Sequence, residues 1–153
     1  MPAPLLSRRD LEFYLYEMFN VEALTSRERY ADHNRESFNA ALDIAEKIAQ
    51  EFFLPIRAKV DLNQPDWDGE KVIMIPEIKR AYDAVAEAGL ICPDQNYDMG
   101  GMQLPLVVSS CATGYLTAAA STTNGFHAVT AANANLLEAY GSKAQIDTWV
   151  PRL

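Results

Sequence analysis

Residues 99–137 contain no Asp, Glu, Lys or Arg, and this stretch constrains the fold more than any other. A run of that length without charge either crosses a membrane or is covered by protein on several sides. Gly114, Ser121, Thr122, Thr123, Asn124 and Gly125 interrupt it, so it lacks the roughly 20 continuous apolar residues of a membrane span. The expectation is therefore two buried helices, over 104–120 and 126–140, apolar or small around most of their circumference. A chain of 153 residues cannot easily cover both, which points to a domain that docks against something larger.

The rest of the chain also has helical spacing. Ser7 and Asp10 form a capping arrangement, and Leu11, Tyr14, Leu15 and Met18 follow at helical intervals, predicting a helix over 8–19. Residues 21–33 are a polar connector with one helical turn expected around 26–30. Phe38, Ala41, Leu42, Ala45, Ile48, Ala49 and Phe52 form one apolar stripe, which Pro55 should kink or end.

The acidic loop over 61–69 lacks a calcium-loop pattern, because Pro65 takes a ligand position and Asp66 the glycine position. The short apolar run from Val72 to Ile75 has no obvious second strand and is expected as an extended segment over a helix seam. Pro76 opens a further helix, expected over 77–88, whose inward stripe is Ile78, Ala81, Tyr82, Val85 and Ala88; Gly89 closes it. Ser142 and Gln145 have capping-box spacing before Ile146, Trp149 and Val150, which share one side. Together these imply an all-α fold, a helical bundle of about five or six helices. Residues 1–33 read as an N-terminal extension with one helix, and 34–153 as the main helical domain.

Acidic residues outnumber basic ones by 21 to 13, for a net charge of −8. The basic residues are scattered, so the chain offers no positive stripe for nucleic acid. Cys92 and Cys111 lack the spacing of a zinc or redox motif and are expected as reduced thiols in a cytoplasmic setting. Arg8-Arg9 superficially resembles an export signal, but Glu17, Glu22 and Arg27 exclude the apolar region such a signal needs.

No metalloprotease, phosphate-loop, dinucleotide-fingerprint or nucleophile-elbow motif occurs. His33 and His127 have no acidic cluster beside them, so no metal site is expected; His33 reads as a surface residue and His127 as half-buried. Gly100-Gly101 gives either a tight turn or a close approach to a ligand, the turn being favoured. Ser109, Thr113 and Thr117 form a hydroxyl stripe that either lines a channel or lets helices pack closely.

Two segments in order resemble the acyl-CoA dehydrogenase family: Pro93 through Gly100-Gly101-Met102-Gln103-Leu104-Pro105, and Gly141-Ser142-Lys143-Ala144-Gln145 through Trp149-Val150-Pro151. Arg9-Asp10-Leu11 through Tyr16-Glu17 further resembles the N-terminal extension of the larger, methylmercaptopropionyl-CoA dehydrogenase-like subfamily. Met99, Gln103 and Ile146 depart from the family pattern, and Thr113-Gly114-Tyr115 stand where many members carry acids.

The resemblance implies the N-terminal helical domain of an FAD-dependent oxidoreductase that dehydrogenates an acyl-CoA thioester between its α and β carbons. It implies electron-transfer flavoprotein as electron acceptor and a homo-oligomer. It also implies that the flavin sites and the catalytic base lie in further dehydrogenase domains after this one, so that no catalytic residue is expected here and the chain alone is expected to be inactive. By the same resemblance Met102, Ser109, Thr113 and Thr130 are expected near the wall of the acyl pocket, with Gly100 and Gly101 in the loop before it. The alternative reading is a non-catalytic helical module whose uncharged helices meet a partner protein.

Overall fold

The computed structural model describes residues 4–153; the first three residues of the expected extension fall outside it. Six α-helices and one small hairpin make up the described chain: α1 (Arg8–Glu12), α2 (Arg35–Ile48), α3 (Arg57–Leu62), β1 (Asp66–Trp67), β2 (Val72–Ile73), α4 (Pro76–Glu87), α5 (Leu106–Tyr140) and α6 (Lys143–Trp149). The fold is all-α, as the periodicity requires. No helix among the described residues is long and apolar enough to cross a membrane.

The helix ends follow from local chemistry. Asn34 caps α2 by accepting from the Ser37 N–H at 2.9 Å, while its own N–H donates to Ser37 Oγ at 3.0 Å. Ser142 and Gln145 make the equivalent pair at α6, the Ser142 N–H donating to Gln145 Oε1 at 2.8 Å. Gly89, at φ +70°, closes α4: the Leu90 N–H reaches back to the Val85 carbonyl at 3.0 Å and the Gly89 N–H to Ala86 at 2.9 Å.

Two π turns shift the inward faces away from the simple helical stripe. After α1 the chain continues as a π turn over Phe13–Met18; Leu15 and Tyr16 turn inward while Tyr14 and Met18 are left exposed. After α2 a second π turn, Ala49–Phe53, inserts one extra residue into the helical phase. The expected stripe ended on Phe52, but Phe53 is the residue fully enclosed and Phe52 is 37% exposed. Pro55 sits in a 3₁₀ turn, Leu54–Ile56, after which the chain resumes as α3.

The Val72 segment departs from expectation. It pairs antiparallel with Asp66–Trp67, Asp66 opposite Ile73 and Trp67 opposite Val72, and Val72 and Ile73 are exposed. Asp68 makes the pairing possible. Its Oδ1 accepts from the Lys71 N–H at 2.8 Å and the Glu70 N–H at 2.9 Å, closing the turn and holding the Asp68 carboxyl below the usual carboxylate range. A two-residue strand is too short for alternation to reveal it.

The long uncharged segment forms one helical run with a single break at Ala120, whose φ of −158° and ψ of 89° are not helical. The polar residues 121–125, expected to separate the two helices, are helical, so the second half begins directly after the break. The core lies where α2 packs along α5. Phe38, Leu42 and Phe53 meet Val108, Tyr115 and Leu116 there, and Leu15 and Val21 from the N-terminal segment join the same cluster. Residues before 34 therefore share the main core.

Candidate functional site

The break at Ala120 gives α5 two faces that look onto one groove of about 620 Å³. The first half lines it with Ser109, Thr113 and Thr117, one turn apart; the second half adds His127, Ala131 and Asn135. The single charged residue in the lining is Asp94. A volume in this range suits a small organic ligand rather than an ion.

The loop before α5 is built by backbone geometry. Gly100 adopts φ +87°, a conformation that disfavours a side chain. At Gly101 a Cβ would stand 2.2 Å from the Gln95 carbonyl oxygen, so two backbone strands meet there. The Gln103 N–H donates to that carbonyl at 2.9 Å, and the Met102 and Leu104 N–H groups both donate to Pro93 at 3.1 and 2.9 Å. Of the two readings of the glycine pair, the structure favours the turn.

This loop is tied on two sides. Gln95, 4% exposed, donates from Nε2 to Asn135 at 3.0 Å, and Asn96 Nδ2 donates to Glu138 at 3.0 Å, joining the loop to the second half of α5. On the other side Arg29 donates to the Asp94 carbonyl at 2.8 Å and to Asn96, and Gln103 Nε2 donates to the Arg29 carbonyl at 3.0 Å. His33, expected on the surface, is half-buried, with Nε2 2.9 Å from the Met102 carbonyl. That oxygen only accepts, so Nε2 is the protonated nitrogen. The polar connector thus has a positioning role that its composition does not show.

The expected pocket residues separate. Ser109 and Thr113 share the groove wall with Thr117. Thr130 faces a second groove of about 510 Å³, formed with Phe126, Tyr82 and the Met74-Ile75 segment, and its hydroxyl donates to its own Phe126 carbonyl at 3.0 Å. Met102 packs against the core beneath the glycine loop, near Gly89. Gly100 borders a smaller cavity with Cys92 and Val150. Thr117 fits both readings of the hydroxyl stripe: it lines the groove, yet its hydroxyl donates to the Thr113 carbonyl at 3.0 Å and accepts from Asn124 Nδ2 at 3.0 Å.

His127 was expected half-buried and is 2% exposed, its ring edge-on to Phe53 with centroids 6.3 Å apart. Neither ring nitrogen has a hydrogen-bond partner. Burial pushes its pKa down to about 4, so the ring is neutral near pH 7. Position within an uncharged run is the signal for this burial, since two helix halves and Phe53 converge on it. Burial, with Asp94 and Glu138 nearby, pushes the Cys92 thiol up to about 11, which leaves it protonated and a poor nucleophile. Among the described residues no group of three His, Cys, Asp or Glu is placed to hold a metal.

With this geometry, likeness to known families becomes decisive. Residues 35–153 match the family model described as "Acyl-CoA dehydrogenase, N-terminal domain". The chain belongs to the acyl-CoA dehydrogenase family. No curated protein matches it. The match places the chain in a family of oxidoreductases and agrees with its all-α fold.

Flavin is the cofactor of that family, and the groove does not fit it. A flavin dinucleotide carries a diphosphate that needs cations or clustered N–H donors, whereas no Lys or Arg lines the groove and its one charged residue is acidic. The lining suits a neutral chain.

Proposed function

We propose that this domain forms one wall of the acyl pocket in an FAD-dependent acyl-CoA dehydrogenase, an enzyme that removes hydrogens from the α and β carbons of an acyl thioester. The observation that carries the reading is the groove between the halves of α5, in a chain whose family match covers both halves. An acyl chain is neutral, and a wall of hydroxyl, methyl and imidazole groups accepts it without stranding a charge.

In this reading the flavin and the base come from other segments of the full-length enzyme, a sheet domain and a further helical domain following residues 34–153, and residues 1–33 are an extension added to the family core. Electron-transfer flavoprotein is the acceptor, the enzyme is a homo-oligomer, and its setting is cytoplasmic, in keeping with two free thiols. Kinship with the methylmercaptopropionyl-CoA dehydrogenase-like subfamily rests on residues 9–17, which lie before the family match. Leu106, Val129 and Leu136, between 56% and 67% exposed on α5, supply an apolar surface for the other domains to cover.

The test is to purify the full-length protein that contains this chain, measure its bound flavin by absorbance, and assay oxidation of a series of acyl-CoA thioesters with an artificial electron acceptor. Stoichiometric flavin and thioester-dependent reduction of the acceptor are expected. A protein with neither flavin nor thioester binding sinks the reading.

A further inference from the structure

The two walls of the groove are joined at one end and tied at the other. They are the halves of α5, which meet at the single non-helical residue Ala120. Away from that break, the loop before α5 contributes Pro93 and Asp94 to the lining and the second half contributes Asn135. Two side-chain bonds cross there: Gln95 Nε2 donates to Asn135 Oδ1 and Asn96 Nδ2 to Glu138 Oε1, each at 3.0 Å. The loop runs directly into the first half, so these bonds hold one wall to the other.

Arg29 fastens the tie from outside. Its guanidinium donates to the Asp94 carbonyl at 2.8 Å and to Asn96 Oδ1. The Asn96 amide is thus held between a cation and a carboxylate, its oxygen toward Arg29 and its NH₂ toward Glu138, and only one orientation of the amide satisfies both. Charged partners at each end strengthen both bonds. The loop answers through Gln103, whose Nε2 donates to the Arg29 carbonyl at 3.0 Å. Gln103 keeps a φ of +50°, which is costly for a residue with a side chain. A glycine there would escape that cost and lose the bond.

The lining makes the separation of the walls matter. Gly114, Ala118, Ala128, Ala131 and Ala132 border the groove, and such residues have no rotamers through which to swing aside. Its width is set by the distance between the two helix backbones. In a pocket of fixed width, one methyl group too many costs about tenfold or more in discrimination.

Resting on the acyl-pocket reading above, we propose that Gln95 and Asn96 form a clasp that fixes the width of this groove, with Arg29 as its positioning residue, so that an unbranched acyl chain is admitted in preference to a branched one. Arg29 touches no part of the acyl chain. It acts through the loop.

The experiment uses the full-length enzyme and pairs of acyl-CoA thioesters of one chain length, unbranched or carrying a methyl branch along the chain, with KM and kcat recorded separately. The unaltered enzyme should favour the unbranched member by about tenfold in kcat/KM. Arg29 is exposed, so Arg29→Ala leaves the core intact; it should bring that ratio close to one, with the change in KM rather than kcat. Arg29→Lys, which keeps the charge, should restore part of the preference. Gln103→Gly relieves the backbone and removes only the return bond, so it should lower the preference by about threefold without loss of stability. Amide hydrogen exchange, which needs no thioester, should quicken in residues 93–104 of Arg29→Ala. A preference unchanged in Arg29→Ala, a uniform loss of activity toward both members of each pair, or exchange in the loop that stays as slow as before overturns the clasp while leaving the acyl pocket standing. Failure of every thioester to bind overturns the pocket reading itself and the preference inferred from it.

Discussion

His127 shows how one buried side chain sets a condition on the whole fold. Its ring is enclosed and its pKa falls from 6.5 to about 4 because burial penalises the charged form. Between those values the unfolded chain takes up a proton that the folded chain refuses. Its contribution to stability is therefore full above about pH 6.5, falls as the pH drops toward 4, and changes no further below that. The loss across this window is on the order of 3 kcal/mol. Urea unfolding at a series of pH values, compared with His127→Phe, isolates this limb: the variant should lack it, and two parallel pH profiles would show that the imidazole is not protected. His127 is the only His, Lys or Arg in residues 99–137, so its burial is consistent with the pattern, but its lack of partners depends on the break at Ala120 and on Phe53, neither of which spacing reveals.

At the scale of elements, the π turn after α2 decides which aromatic ring supports the core. Phe53 is fully enclosed and Phe52 is 37% exposed. Phe53→Ala should cost about 3–5 kcal/mol, against about 1 kcal/mol for Phe52→Ala, measured by chemical denaturation. The opposite order would restore an unbroken α-helix with the simple stripe. Helices were legible wherever caps and stripes agreed, as in Pro76 to Gly89 and at Ser142 with Gln145. What escaped the sequence were events of one or two residues. An inserted π residue slides the phase after Ile48 and again after Glu12, a two-residue strand hides in the Asp68 turn, and a single non-helical residue replaces the gap expected between helices at 121–125. Of the four residues expected near one wall, Met102, Ser109, Thr113 and Thr130, the first groove is lined by Ser109 and Thr113. Thr130 instead lines the second groove, beside Phe126 one turn before it and opposite Tyr82.

For the molecule as a whole, the uncharged run serves two ends. One side of α5 fills the core against α2, and another side bounds a groove that the described residues leave open. The N-terminal segment braces this arrangement, since Arg29 and His33 hold the glycine loop that leads into α5. The most direct measurement is photolabelling of the full-length enzyme with an acyl-CoA bearing a diazirine along its chain, followed by mass-spectrometric mapping of the adducts. Labels should fall on residues 109–117 and 127–135 and be competed away by unlabelled thioester. Competable labelling that avoids both halves of α5 would contradict the assignment of this groove to the acyl chain.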